Sequence, residues 1–317
     1  VNIVIAGGNS YIGSRLTREL LDAGHRVIWL SHRPGRAEEL GFEPEEILDV
    51  IFEYHDESGS WVDVIAESDV VVNLSGYPIA TRWNSKVKHL LRESRIDTTR
   101  AIVDAIRMAR AGELARTGPD VLVNASAVGI YGDRDETKLR EDADLGEDWL
   151  SQLAVDWEAE AYKAEELGVR VVTVRTGIVL GEKGFLPKLT LPMKLFVGGP
   201  VGPGTQWVSW VHIDDAHGIF RYAIENEDIS GPVNTSPAPV TMHDLAHAVG
   251  SQLRRPVWMP APTALLRVVL GEVAPYTVFS QRAVPGVLTD AGYPWRFPEL
   301  SGALDDLLSS RGTDHAE

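Results

Sequence analysis

The 317-residue chain contains no cysteine, which excludes disulfides, thiolate metal sites and a cysteine nucleophile. It is short of basic residues, with Lys+Arg 30 against Asp+Glu 46 and a net charge of −16. A nucleic-acid partner needs a basic face and is not expected; the carboxylates read as a solvated surface. No apolar run approaches the ~18 residues of a membrane span, and no basic-then-apolar leader precedes the first strand. The expectation is a cytoplasmic protein without membrane contact. Val1 already lies in a strand-like run, as in a piece of a longer polypeptide or a chain without its initiator methionine. A G-x-S-x-G elbow and a Walker loop are also missing, so hydrolase and phosphotransferase readings lack support.

What is present is an alternation of strands and helices in a chain 44% hydrophobic, long enough for one large core or two smaller ones. "VNIVIAG" (1–7) is a continuous apolar run ending in glycine, the pattern of a parallel strand buried on both faces. Ile12, Leu16, Leu20 and Leu21 follow at helical spacing up to Gly24, and "RVIWLSHR" (26–33) is a second strand. Together they make a right-handed βαβ unit. The pattern continues through "SDVVVNLSG" (68–76), a helix from about Asn84 to Ala111, and "PDVLVNASA" (119–127). A helix within 148–167 and "VRVVTVRTG" (169–177) complete it. The expected fold is α/β, a Rossmann-type doubly wound parallel sheet with a smaller, mainly helical C-terminal substrate region.

From Gly181 the texture changes. "GGPVGPGTQW" (198–207) is too rich in Gly and Pro for regular structure, and short helices are expected near 214–226, 241–252, 261–271 and 299–309. "GPVNTSP" (231–237) can return a strand to the main sheet. The expected division is 1–180 as dinucleotide-binding unit, with 205–255 returning to it, and 181–204 and 256–317 as substrate cleft and C-terminal region. Residues 41–60 read as an irregular acidic connection and the final "GTDHAE" as a disordered end.

The turn "GGNSYIG" (7–13) carries the first chemical signal. Gly7, Ser10 and Gly13 occupy the three positions of a G-x-x-G-x-x-G pyrophosphate loop, with Asn9, Tyr11 and Ile12 between and beside them. Such a loop sets the phosphates on a helix N-terminus. Ser10 replaces the middle glycine, which is tolerable at negative φ and costs about 1 kcal/mol or more at positive φ. A plain βα turn would look similar. At the end of the second strand an NAD site would place Asp or Glu against the ribose. Here stand Ser31, His32 and Arg33, with Arg36 close behind, residues that attract a 2′-phosphate. NADP(H) is the expected cofactor; an ordinary polar strand end is the alternative.

The runs "NLSGYPIATRWN" (73–84), "ESR" (93–95) and "NASAVGIYGD" (124–133) resemble the extended short-chain dehydrogenase/reductase superfamily. With "DWEAEA" (156–161), "VRTGIVLG" (174–181), "GGPVGPGTQWVSWVHIDD" (198–215) and the stretches 265–272 and 280–300, nearly the whole chain is similar to its atypical "epimerase family protein" branch, the predicted nucleoside-diphosphate-sugar epimerases. The resemblance implies that Leu74, Ser75 and Gly76 lie along the adenosine, that Arg95 touches the cofactor, and that the turn with Ile178 and Val179 passes the nicotinamide amide.

The superfamily's chemistry uses a tyrosine acidified by a lysine four residues on, because an unperturbed tyrosine pKa near 10 is too high for a base at neutral pH. None of the eight tyrosines has lysine at that spacing. Aligned on Glu158, the pair's places fall on Leu150 and Ala154, while Tyr162 and Lys163 are adjacent and diverge by about 100° on a helix. Ser126 matches the family's serine, and Tyr131, one residue further along than usual, is the candidate substitute for proton transfer. Loop packing by Tyr131, and capping by Ser126, are the plainer roles; Asp133 is a further candidate. The resemblance also sets Gln206, Trp210 and Arg282, with Trp207 and His212, around a substrate cleft, with burial of Trp210 in an inter-domain core as the alternative.

His243 and His247 lack the Glu of H-E-x-x-H and a third ligand, so no metal site is expected. Asp214 and Asp215 read as N-caps of the helix after them. Two functions follow. One is an NADP(H)-dependent oxidoreductase or epimerase acting on a small polar or nucleotide-sugar substrate. The other is a catalytically silent NADP(H)-binding sensor.

Overall fold

The computed structural model describes residues 1–309 apart from 34, 57, 115 and 262–270. In chain order the first half runs β1 (Asn2–Ala6), α1 (Tyr11–Asp22), β2 (Arg26–Ser31), β3 (Ile47–Ile51), α2 (Ser60–Ala66), β4 (Val70–Asn73), α3 (Ser85–Arg110), β5 (Val121–Ala127), β6 (Lys138–Leu139) and α4 (Trp149–Tyr162). The second half continues with β7 (Arg170–Thr176), β8 (Ile178–Leu180), α5 (Phe185–Lys194), β9 (Trp207–Val208), β10 (Trp210–His212), α6 (Ile213–Glu225), β11 (Gly231–Asn234), β12 (Val240–Thr241), α7 (Met242–Leu253) and β13 (Arg282–Ala283). Helices Gly286–Asp290 and Leu300–Ser309 follow.

Seven strands form one sheet in the order β11-β7-β5-β4-β1-β2-β3, every neighbouring pair parallel. The order reverses between β1 and β4, the point at which doubly wound sheets open a crevice beyond their strand ends. Strand period two explains the apolar runs. Ile3 and Ile5 face a layer with Leu16, Leu20, Ile219 and Phe220, while Val4 and Ala6 face Trp61, Ile65, Ile102 and Ile106. Both faces are therefore buried. As expected, 231–237 returns a strand, β11 beside β7. A further core of Leu186, Leu189, Met193, Trp210, Leu245 and Leu304 joins α5, α7 and the terminal helix.

Two expectations are corrected. The supposed irregular connection 41–60 contains β3, the sheet edge. Its Ile47 is buried but Leu48 and Ile51 are half exposed, so one covered face leaves only a weak pattern amid acidic residues. The helix after "WVH" is capped by His212, whose Nδ1 accepts from the Asp214 amide at 3.1 Å. Asp215 instead turns its carboxylate to the amides of Arg296 and Phe297, at 2.8 and 2.9 Å. The helix expected at 261–271 lies almost wholly outside the described residues, as does the end 312–317.

Candidate functional site

The site begins where β1 stops. Gly7 takes φ +79°, and a Cβ there would lie 3.0 Å from the Leu74 carbonyl oxygen. A Cβ on Gly13 would lie 2.6 Å from the Gly7 oxygen and 2.8 Å from that of Gly8, so only glycine lets α1 come this close to the turn. Ser10 is different. At φ −74° it needs no glycine, and its Oγ caps α1 by accepting from the Gly13 amide at 3.1 Å. Its own hydroxyl hydrogen remains available to a phosphate. The first-turn amides behind it have no partner within the helix, the arrangement that attracts anions.

Buried asparagines hold the neighbouring strand ends. Asn73 Nδ2 donates to Asn124 Oδ1 at 2.7 Å and Asn73 Oδ1 accepts from the Ser75 amide at 3.1 Å, turning the chain at Leu74–Gly76. A groove crosses these ends in two halves that share Ser10, Leu74, Gly76, Tyr77 and Pro78.

The outer half, about 420 Å³, holds Gly7, Asn9, Ser31, His32, Arg33, Arg36 and Ser75. Ser31 Oγ is buried without a hydrogen-bond partner. His32 stacks on Phe52 with ring centroids 6.1 Å apart. Arg33 and Arg36 are exposed, Arg36 beside Glu39 at 3.4 Å. The glycine cradle, the unpartnered hydroxyl and the two cations fit a dinucleotide carrying an extra ribose phosphate.

The inner half, about 380 Å³, is lined by Tyr11, Ile12, Arg95, Ser126, Thr176 and Val179 against Leu150, Leu153, Ala154 and Trp157. The two places left empty by the missing Tyr/Lys pair are thus apolar wall. Tyr11 hydrogen-bonds the Glu182 carboxylate and accepts from the Glu182 amide at 3.0 Å. Burial and that carboxylate push its pKa up to about 12, so it stays neutral.

Behind Ser126 lies a buried polar chain. Ser126 Oγ donates to Glu158 Oε1 at 2.6 Å. Arg175 clamps the same carboxylate through Nε at 2.9 Å and Nη2 at 2.8 Å. Its Nη1 donates to the Tyr131 hydroxyl at 2.8 Å and the Glu141 carbonyl at 2.9 Å. Tyr131 in turn donates to Asn234 Oδ1 at 2.8 Å. Burial opposes the charge on Arg175, but Glu158 outweighs it and holds the guanidinium more firmly protonated than usual. Burial raises the Tyr131 pKa, with Arg175 opposing.

The expected pairing of Ser126 with Tyr131 at the substrate is therefore not what the fold builds. Tyr131 is fully buried and is not among the groove-lining residues, because the 3₁₀ turn Val128–Tyr131 carries it behind the sheet end onto Arg175. Asp133 accepts from the Ser280 amide at 2.9 Å and ties down a loop. Of the expected substrate residues, none lines the groove. Trp210 is fully buried in the C-terminal core, its indole donating to the Ala238 carbonyl at 2.6 Å. Gln206 is buried and donates to the Val201 carbonyl at 2.8 Å. Arg282 lies over the Trp207 ring at 3.7 Å.

Sequence reasoning missed Tyr77, Trp157 and Thr176 in the groove and the partnership of Glu158 with Arg175. One signal was readable, since Arg175 is the single charge inside the apolar run "VVTVRTG". A charge placed there is buried and needs a partner.

Residues 3–234 match the NAD dependent epimerase/dehydratase family, and residues 261–307 match a domain of unknown function (DUF1731). The epimerase family protein YfhF of Bacillus subtilis is 37% identical over 315 residues, 99% of this chain and 100% of that one. The human epimerase family protein SDR39U1 (isoform 2), whose crystal structure includes NADPH, is similar at TM-score 0.83 and 30% identity, with 98% of this chain and 99% of that one covered. The nucleoside-diphosphate sugar epimerase of Corynebacterium glutamicum is similar at TM-score 0.73 and 30% identity, with 98% and 58% covered. Among the described residues no helix is long and apolar enough to cross a membrane.

Proposed function

The chain belongs to the NAD dependent epimerase/dehydratase family, and from that premise we propose that it is an NADP(H)-dependent oxidoreductase or epimerase of the atypical extended type, acting on a small polar or nucleotide-sugar substrate. The observation that carries this reading is the unpartnered, buried Ser31 hydroxyl beside Arg33 and Arg36, where an NAD site would set a carboxylate. Gly7, Asn9, Ser10, Tyr11, Ile12 and Gly13 hold the pyrophosphate. Ser31, His32 and Arg33 hold the 2′-phosphate end, Leu74–Gly76 the adenosine side, and Val179 the nicotinamide edge. Residues 1–180, with 205–255 returning, make the cofactor unit.

Bound NADP(H) supplies or accepts hydride at its nicotinamide. The protein's part is at the substrate oxygen. Ser126 directs its hydrogen to Glu158, so its lone pairs remain to receive a substrate hydroxyl, and Arg175 keeps that orientation by fixing Glu158. Tyr131 acts only through Arg175.

Titration of the purified protein with NADPH and NADH, followed by fluorescence and thermal stability, tests the reading. NADPH is expected to bind at least tenfold tighter, and Arg33→Glu/Arg36→Glu to erase the difference while sparing NADH. No binding of either dinucleotide sinks the proposal.

A further inference from the structure

Among the described residues that line the inner half of the groove, Arg95 is the only charged one. In a chain of net charge −16 this lining carries one cation, with the carboxylates of Glu158 and Glu182 standing behind it, hydrogen-bonded to Ser126 and Tyr11. The guanidinium is not a surface charge bent inward. Its Nη1 donates to the carbonyls of Tyr77 and Leu91 at 3.1 and 3.2 Å, two bonds that fix its plane. Its Cζ lies 5.1 Å from the Trp157 ring centroid. A Cβ on Gly76 would come within 3.2 Å of Cζ and Nη2, so the chain passes this group with a glycine. Burial alone lowers the Arg95 pKa to about 10, and no neighbouring carboxylate offsets it. A guanidinium desolvated without an acid is costly to the fold, and the edge formed by Nε and Nη2 has no acceptor among the described residues. That edge is the fork that takes a carboxylate through two parallel hydrogen bonds.

We propose that Arg95 binds the carboxylate of the substrate, which is a compact monocarboxylic acid bearing a hydroxyl or carbonyl group. Its apolar body lies on Leu150, Leu153 and Trp157, and its oxygen meets Ser126. One cation matches one negative charge, whereas the diphosphate of a nucleotide sugar brings two. The cofactor's phosphates already have the α1 N-terminus and, in the other half, Arg33 and Arg36. A space of about 380 Å³ shared with a nicotinamide suits a small molecule. Arg95, which the family resemblance gave to the cofactor, is thereby given to the substrate. The inference rests on the NADP(H) reading for the placement of the nicotinamide alone.

The test compares phenylacetate with its neutral isostere phenylacetamide on the NADP+-saturated full chain, by calorimetry and thermal shift. The acid is expected to bind at least tenfold tighter than the amide. Arg95→Gln should erase that difference, Arg95→Lys should lose most of it, and NADPH affinity should stay within threefold in both. Equal binding of acid and amide by the unaltered protein overturns the inference. So does a tenfold or greater loss of NADPH affinity in Arg95→Gln or Arg95→Lys, which would make a cofactor phosphate the partner. If Arg95→Gln does not fold, Arg95→Lys decides by the same comparison. If the unaltered protein binds no NADPH, the oxidoreductase reading falls alone, and acid against amide on the cofactor-free chain still decides this one.

Discussion

Arg175→Met is the substitution that most directly interrogates the buried chain behind Ser126. Arg175 and Glu158 are each 5% exposed in their side chains and meet at 2.8 Å. Removing the cation leaves the Glu158 carboxylate with the Ser126 hydroxyl as its one remaining hydrogen-bond partner among the described residues, and withdraws a donor from the Glu141 carbonyl. Breaking a buried pair from one side costs about 3–5 kcal/mol, against a total stability of roughly 5–15 kcal/mol. At about 2–3 °C per kcal/mol for a chain of this size, Tm should fall by roughly 6–15 °C. Arg175→Met/Glu158→Met should recover much of that loss, because the desolvation penalty disappears together with the attraction. Tm by circular dichroism on the two single variants and the double closes a mutant cycle. A fall of less than about 2 °C for Arg175→Met, or a double variant that loses the sum of the singles, would refute the account of a tightly coupled pair.

Other tests lie elsewhere in the molecule. Gly13→Ala places its Cβ 2.6 and 2.8 Å from two backbone oxygens; α1 must move off the turn, costing about 1–3 kcal/mol and at least tenfold in NADPH affinity, read by titration. Ser10→Gly should leave stability within a few tenths of a kcal/mol, whereas Ser10→Ala should cost about 1 kcal/mol through the lost cap. NADPH binding much tighter in Ser10→Gly than in the unaltered chain would show that the serine obstructs the phosphates. Asp214 is held below the usual carboxylate pKa, chiefly by its hydrogen bond with His217. The unfolded chain therefore keeps that proton to higher pH, so the stabilisation is present above the ordinary aspartate range, near 3.9, and is lost as pH falls through the lowered folded value. The Tm gap between the unaltered chain and Asp214→Asn should be present at pH 5 and close as pH falls below about 4.

The outer half of the groove was legible because each of its requirements is local. Gly7 needs a positive φ and Gly13 a close approach, and both needs show in a stretch of seven residues. The replacement at Ser10 could be weighed from φ alone. Strand β3 was not legible, since an edge strand with Leu48 and Ile51 half exposed carries half of a buried strand's pattern. Trp210 and Gln206 lie in a loop-rich segment whose short strands β9 and β10 pair with different partners, β12 and β8. No periodicity of their own says which side chains turn inward.

The inner half failed for a different reason. By residue type and spacing Tyr131 has the hydroxyl that a proton transfer at the substrate requires. The fold separates facing from function. Ser126 is the member of its chain that lines the groove, while Glu158 and Arg175 stand behind it on α4 and β7, distant in sequence, and Tyr131 in the 3₁₀ turn that follows β5. The apolar wall of Leu150 and Ala154 is what remains where a tyrosine and lysine would have stood. Polarity has moved one layer back, to a carboxylate one helical turn past Ala154 that an arginine clamps through two hydrogen bonds. Such a device leaves two traces in a sequence, a glutamate on a buried helix face and an arginine in an apolar strand. The pairing between them is a tertiary fact, set by α4 crossing the end of β7.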